Sequence, residues 1–537
     1  MAAVIIAASV VGLALRLYQL SRPGYLLGVT EYDDGTDFGS AIRLVHGYLP
    51  YRDFIIVQPP GIALLMSPVA LLTQGLGTAQ AMAVARVVTV LAGAASVPLT
   101  GLLVRHRGLL AVTVACGIVA VYPPSIQSAH TVLLEPWLVL FCLAGAVAVF
   151  DGDRLTGSTR RLAWGGAAFG FAGAVKVWAV LPVAVILLLS ASKLPGAGKL
   201  PGAGKLPSAR QPRRVASFLA GAAAGFVIPV LPFVIAAPGT FYDSVIVAQL
   251  IRVDKVRTPL AFRLHEMTGL TGVAHLGLAV LIIISVALVA AVAGCGLLAS
   301  RMTGQRPPAL EWFALGTSVL VVAAFVWPSD FYYHYAGFLA PFLALAIAVP
   351  VSRLVAAAGR RAAAGPSGGR WVAAQRLPRA AVAVAGVAII IMAVAQFGGE
   401  AGSGAGSPPA LSQASVAAAR RIIPPGACVL ADQVSYAIAA DRFVSRVPGC
   451  SPMVDSVGTD YSLSGGRNAA SGAARSAAVR AAWLAALRPA QYVWLSALAG
   501  KRVPLRAPQV ATYFNDTFTP VPGGPPGLYI RKGLHPR

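Results

Sequence analysis

Charge is what this chain has least of. Asp, Glu, Lys and Arg make up 12% of its 537 residues, about half the share usual in a soluble globular protein. Mean hydropathy is +0.72. Together these exclude a wholly soluble globular protein. Acidic residues are the scarcest, 19 against 43 Lys plus Arg, for a formal net charge of +24. No aromatic-interleaved basic patch accompanies that excess, so a nucleic-acid partner is not expected. The five cysteines include no CxxC pair, which argues against a thiolate metal site. The absence of GxGxxG, P-loop, HExxH and GxSxG patterns argues against an ATP-driven pump, a zinc protease and a serine hydrolase. The first apolar run lacks a basic leader and a small-residue cleavage site and reads as a retained helix.

What the chain has instead is apolar runs of membrane-spanning length, recurring to about residue 398. They predict an α-helical polytopic membrane protein of about eleven helices, near 2–20, 79–104, 108–123, 135–150, 162–175, 177–192, 215–236, 272–298, 309–327, 335–351 and 380–398. The 162–192 region reads either as one long tilted helix or as two short ones meeting at Lys176. The short, Pro-broken run 60–76 reads as a re-entrant or interfacial piece. Basic residues concentrate in 105–107, 153–161, 193–214, 301–306 and 353–379, which places those loops in the cytoplasm. The tandem KLPGAG copies in 193–214 read as a flexible cytoplasmic loop. Eleven crossings then put the region from 399 to 537 outside the cytoplasm. Its composition turns polar, with short apolar runs such as QYVWLSAL and GLYIRK, and predicts a small α/β domain. On that side Cys428 and Cys450 can form a disulfide. High Ala, Gly, Val and Arg content points to a bacterial plasma membrane.

The chemistry-bearing stretch is EYDDGTDFGSAIRLVHGYLPYRDF, residues 31–54, directly beyond the first apolar segment. Phe38, Ala41, Ile42 and Val45 recur at helical spacing and Gly47 ends the pattern, which predicts a short amphipathic helix lying at the membrane surface. It would hold Asp33 and Asp34 at the bilayer edge, where desolvating a carboxylate is costly. A carboxylate placed there can take the proton of an acceptor hydroxyl as it attacks a sugar's anomeric carbon. The leaving lipid phosphate would call for cations.

The motif Asp33-Asp34, Ala41, Gly47, Tyr51 and Pro59-Pro60 resembles the first external loop of the C-type glycosyltransferase superfamily (GT-C), in particular its protein-mannosyltransferase and aminoarabinose-transferase members. HTVLLEPWLVL, FGFAGAVKVWAVLP and DFYYHYAGFLAPFLAL continue the resemblance through 1–398, and it does not reach the C-terminal region. It implies a membrane transferase that moves a sugar from a polyprenyl-phosphate donor to an extracytoplasmic glycan, lipid or protein acceptor, with Asp33 in the catalytic acidic position. Asp34 stands where many members have Glu, so the division of labour between the two stays open.

Other candidates are weighed on the same footing. Glu135 matches a second acidic position of the family, for acceptor or metal, or is a helix-start acid favoured by the dipole. His130 lies near it. A divalent cation (Mg or Mn) on Asp33, Asp34 and Glu135 and a metal-free site both stay open. Lys176 either contacts the lipid phosphate or snorkels. Arg252, Arg257 and Arg263 break the positive-inside pattern and bind either the lipid phosphate or anionic headgroups. His334 resembles a position facing the lipid-phosphate site, while the neighbouring tyrosines read as an interfacial belt. Arg86, inside a helix, is expected to pair with a loop acid as a strut. A lipid-linked sugar transporter is the rival reading, but it would place ionisable groups at the midplane and show repeated halves, which the sequence does not.

Overall fold

The computed structural model describes residues 1–191, 210–252, 257–270, 276–363, 369–402, 411–468, 470–496 and 506–535. A helix stands at each of the eleven predicted places. Among the described residues seven helices are long and apolar enough to cross a membrane, from Ala2–Ser21 to Leu377–Gln396. Shorter apolar helices pack between them, including Leu109–Val121, Leu134–Val149 and Val177–Ala191. Most of the KLPGAG segment lies outside the described residues, as do Lys255 and Asp254.

We label helices in chain order: α1 (Ala2–Ser21), α2 (Asp33–Val45), α3 (Gly61–Ala70), α4 (Thr78–Val104), α5 (Leu109–Val121), α6 (Leu134–Val149), α7 (Thr159–Val175), α8 (Val180–Ala191), α9 (Arg210–Ala236), α10 (Leu260–Thr268), α11 (Leu278–Thr303), α12 (Ala309–Val326), α13 (Ala336–Ala363) and α14 (Gly369–Gly402). The 162–192 region resolves into two helices. Lys176 has extended backbone between α7 and a single 3-10 turn that leads into α8. The run 60–76 forms α3, with Pro68 inside it, and a final turn at Thr73–Leu76.

In lipid, helices gain little from hiding apolar surface from one another, so close backbone approach must supply the packing. Helices α7 and α9 show how. Gly166 and Gly170 face the backbone of Phe218 and Ala222, while Gly221 and Gly225 face the backbone of Ala163 and Ala167. A Cβ at any of the four would overlap a carbonyl oxygen. Gly61 likewise lets the start of α3 rest on Ala174 and Val175, which brings the first loop up to Lys176.

The C-terminal region contains a four-stranded sheet of β3 (Val429–Ala431), β4 (Tyr492–Trp494), β5 (Phe518–Pro520) and β6 (Leu528–Arg531), in the order β3-β4-β6-β5. Two short strands, β1 (Phe150–Asp151) and β2 (Arg154–Leu155), form a separate hairpin between α6 and α7. In the larger sheet β3 and β4 run parallel and the other pairs antiparallel. Trp483 and Trp494 are fully buried in it, and a Cys428–Cys450 disulfide closes its edge.

This domain does not stand apart from the membrane helices. Val434, Tyr436 and Ile438 share one apolar cluster with Phe38, Ile42 and Met66. Helix α2 therefore departs from expectation. It does not lie on the membrane surface with a wet polar face; Asp34 through Arg43 are all buried. Gly35 sits against the backbone of Ser435, and the Arg43 guanidinium stacks on the Phe443 ring at 4.2 Å. The polar face predicted to meet water meets the C-terminal domain.

Replacing Gly170 by Leu should drive α7 and α9 apart and cost at least about 1–3 kcal/mol, read as a lower melting temperature and loss of monodisperse protein in detergent. Gly173→Ala, whose added Cβ meets only the Phe226 ring edge at 3.4 Å, should change neither.

Candidate active site

Neighbouring residues on an α-helix point about 100° apart, whereas i and i+4 share a face. The Asp33–Asp34 pair opens α2 and must therefore split. Asp34 turns inward and is wholly buried. Its Oδ2 accepts from Arg86 at 2.5 Å and from Thr131 Oγ1 at 2.6 Å, and Ser435 Oγ donates to Oδ1 at 3.2 Å. Arg86 also donates to the carbonyls of Tyr25 and Leu26 at 2.7 and 2.8 Å. Arg86 thus pairs with a loop acid, and Asp34 is occupied by structure. The expectation that Asp34 acts as a base does not survive this geometry.

Asp33 faces a cavity of about 280 Å³ bounded by the first loop, the start of α6, the end of α7, the stretch 332–335 and the C-terminal domain. Its side chain is 48% exposed and lies 3.7 Å from His334 Nε2. Across the cavity Glu135 accepts from Lys176 Nζ at 2.6 Å and lies 2.9 Å from His334 Nδ1. The ammonium of Lys176 also sits over the rings of Trp178 and Tyr335, at 3.7 and 4.3 Å. It is a caged cation rather than a snorkelling one. Arg252 lines the same cavity, 3.4 Å from Asp330 and stacked on Tyr461 at 4.3 Å.

Three other predicted ligands lie elsewhere. Arg263 is buried and donates to the carbonyls of Phe325, Pro328 and Ser329 at 2.5, 2.8 and 2.6 Å. Arg257 donates to Val326 and Trp327 at 2.7 and 3.3 Å. Both cap the carbonyl end of α12, where partial negative charge gathers, and neither borders the cavity. His130 is buried, bonded to the Gln127 carbonyl and packed edge-on against Tyr25. Burial pushes its pKa down to about 4, and it holds a loop rather than a ligand. The trio Asp33, Asp34 and Glu135 does not converge on a cation, because Arg86 takes the second and Lys176 with His334 the third. Among the described residues no group of three His, Cys, Asp or Glu side chains is set to hold a metal ion.

Sequence reasoning missed several walls of the cavity. Tyr333 is no belt residue: its hydroxyl donates to Glu31 Oε1 at 2.6 Å. Asp37, one turn along α2 from Asp33, lines the cavity too, a relation that i+4 spacing signalled. Asp455 comes from the C-terminal domain and accepts from Tyr32 OH at 2.9 Å and from Gly458 N at 2.7 Å; no local pattern marked it. The turn that carries Gln58 into the wall is held by Tyr51, whose backbone is left-handed at φ 68° and whose hydroxyl donates to the Gln58 carbonyl at 2.5 Å.

Enclosure within the cavity walls raises the Asp33 carboxyl above its ordinary range, although its side chain faces open cavity space, and His334 and Lys176 oppose the shift. Burial lifts Glu31 to about 7, against the Tyr333 hydrogen bond.

Residues 71–237 match the family described as dolichyl-phosphate-mannose-protein mannosyltransferase. That span includes Glu135 and Lys176 and starts after the acidic loop. Among solved structures, ArnT from Cupriavidus metallidurans bound to undecaprenyl phosphate superposes with a TM-score of 0.54 at 15% identity, over 82% of this chain and 85% of that one. The chain shares the fold of that structure. An oligosaccharyltransferase from Archaeoglobus fulgidus gives a TM-score of 0.51 at 14% identity, over 91% of this chain and 69% of that one. No curated protein sequence matches. In this chain the cavity lies where the first loop, helices of the matched span and the C-terminal domain meet.

Removing Arg86 would leave Asp34 buried without its counter-charge. Arg86→Met should destabilise the protein by about 3–5 kcal/mol, while Arg86→Met with Asp34→Leu should recover much of the loss in thermal melts. Glu31 titrates higher folded than unfolded, so its neutral form favours the fold and the contribution falls as pH rises through about 7. Melting temperature should decline between about pH 5 and pH 8, and Glu31→Gln should flatten that slope.

Proposed function

We propose that this chain is an integral-membrane glycosyltransferase that moves a sugar from a polyprenyl-phosphate donor to an acceptor at the extracytoplasmic face of a bacterial plasma membrane, with inversion at the anomeric carbon. The observation that carries this reading is the division of the cavity: a half-exposed carboxylate, Asp33, in one wall, and Lys176, Arg252 and His334 in the others.

Asp33 takes the proton of an acceptor hydroxyl. The freed oxygen lone pair attacks the anomeric carbon as its bond to the lipid phosphate oxygen breaks. The departing phosphate keeps the bonding electrons, and Lys176 and Arg252 stand ready to offset its charge. Glu135 holds Lys176 and His334 in place, a role different from the acceptor, metal and helix-start readings of its sequence context. The C-terminal domain closes the chamber with Asp455 and Tyr461, which suits contact with the acceptor. The Cys428–Cys450 bond and the basic loops support an extracytoplasmic placement.

Purified protein offered a panel of polyprenyl-phosphate sugars and glycan acceptors should transfer sugar. Asp33→Asn should lower the rate by about 10²–10⁴-fold while still binding polyprenyl phosphate. Lipid-sugar translocation across vesicles without transfer would replace the proposal with a transporter.

A further inference from the structure

Resting on that reading, the geometry points to Asp37 as a second substrate-facing carboxyl with the opposite role to Asp33: a neutral acid that donates a hydrogen bond to an oxygen of the transferred sugar. Both lie on one face of α2, a turn apart, and both line the same cavity. They differ in surroundings. Asp33 is 48% exposed with an imidazole at 3.7 Å. Asp37 is 6% exposed, and its buried Oδ2 has no hydrogen-bond partner. Among the described residues no Lys, Arg or His reaches it at ion-pair distance.

Two carboxyls this close in a shielded cavity resist ionising together. The one with cationic company becomes the anion, and the other keeps its proton. Environments that split a carboxyl pair assign one base and one donor. The charged groups that act on Asp37 are Asp33 on its own helix, Glu135 at the start of α6, Lys176 at the end of α7 and Asp455 in the C-terminal domain. Three of the four are acids. Burial and those acids together hold its carboxyl well above the usual range. Every wall cation is already engaged by another acid or a ring, whereas the buried Oδ2 of Asp37 has no hydrogen-bond partner. The chemical class that fits a lone protonated carboxyl is a hydroxyl or ring oxygen of a neutral sugar.

The test uses full-length protein in detergent, at several pH values, with whichever polyprenyl-phosphate sugar the wild type accepts. Wild-type kcat/KM should rise as Asp33 ionises and fall at alkaline pH as Asp37 loses its proton. Asp37→Asn keeps an N–H donor; it should stay within a few-fold of wild type near neutral pH and lose the alkaline fall. Asp37→Leu should lower kcat/KM by about 10–100-fold, mostly through KM, with its melting temperature checked alongside. Infrared difference spectra should show a protonated-carboxyl band at neutral pH that vanishes in Asp37→Asn. Wild-type kinetics in Asp37→Leu, equal damage in the Asn and Leu variants, or no band lost would each overturn the role given to Asp37 while leaving transfer itself intact. No transfer by the wild type with any donor would instead overturn the glycosyltransferase reading, and this role with it.

Discussion

The site depends on one buried ion pair. Arg86 projects from α4 into a region where an uncompensated charge is costly, and it finds Asp34 at 2.5 Å. Through that contact four parts of the chain are tied: the loop after α1 by the carbonyls of Tyr25 and Leu26, the start of α2, the loop before α6 by Thr131, and the C-terminal domain by Ser435. With Asp34 locked, helix geometry leaves Asp33 and Asp37 facing the cavity. A pair that reads as two equivalent acids in the sequence is a strut and a cavity-facing carboxylate in the fold.

A second charge lattice, Glu135 with Lys176 and His334, sets the opposite wall. It joins α6, the break between α7 and α8, and the turn leading into α13. Holding cations by a fixed acid keeps them in place without a ligand, the preorganisation that the proposed leaving phosphate would call for. The glycine contacts between α7 and α9 and the rest of α3 on Ala174 set the height of Lys176.

The helices were legible because apolar length and basic loops are strong, local signals. Asp33, Glu135, Lys176 and His334 were legible because each is an ionisable residue at a helix end beside an apolar run. Arg257 and Arg263 misled because a guanidinium capping α12 and one awaiting a phosphate look alike in sequence; only the carbonyls of Phe325 and Ser329 distinguish them. His130 misled for the same reason, since its partner is a backbone carbonyl. Asp455 and the burial of α2 were invisible because they depend on contacts spanning some four hundred positions, such as Tyr32 with Asp455 and Gly35 with Ser435, which no window of sequence reports.

One contact of the C-terminal domain carries a further consequence. Asp441 accepts from the amide of Ala79 at 2.8 Å and from the hydroxyl of Thr78 at 3.3 Å, so the first turn of α4 is capped by a residue synthesised long after it. Until the final quarter of the polypeptide has emerged and docked, that helix end stays bare, Asp34 lacks its third donor and the chamber has no outer wall. A chain whose membrane helices have formed but whose last domain has not docked thus still lacks the chamber that encloses Asp33.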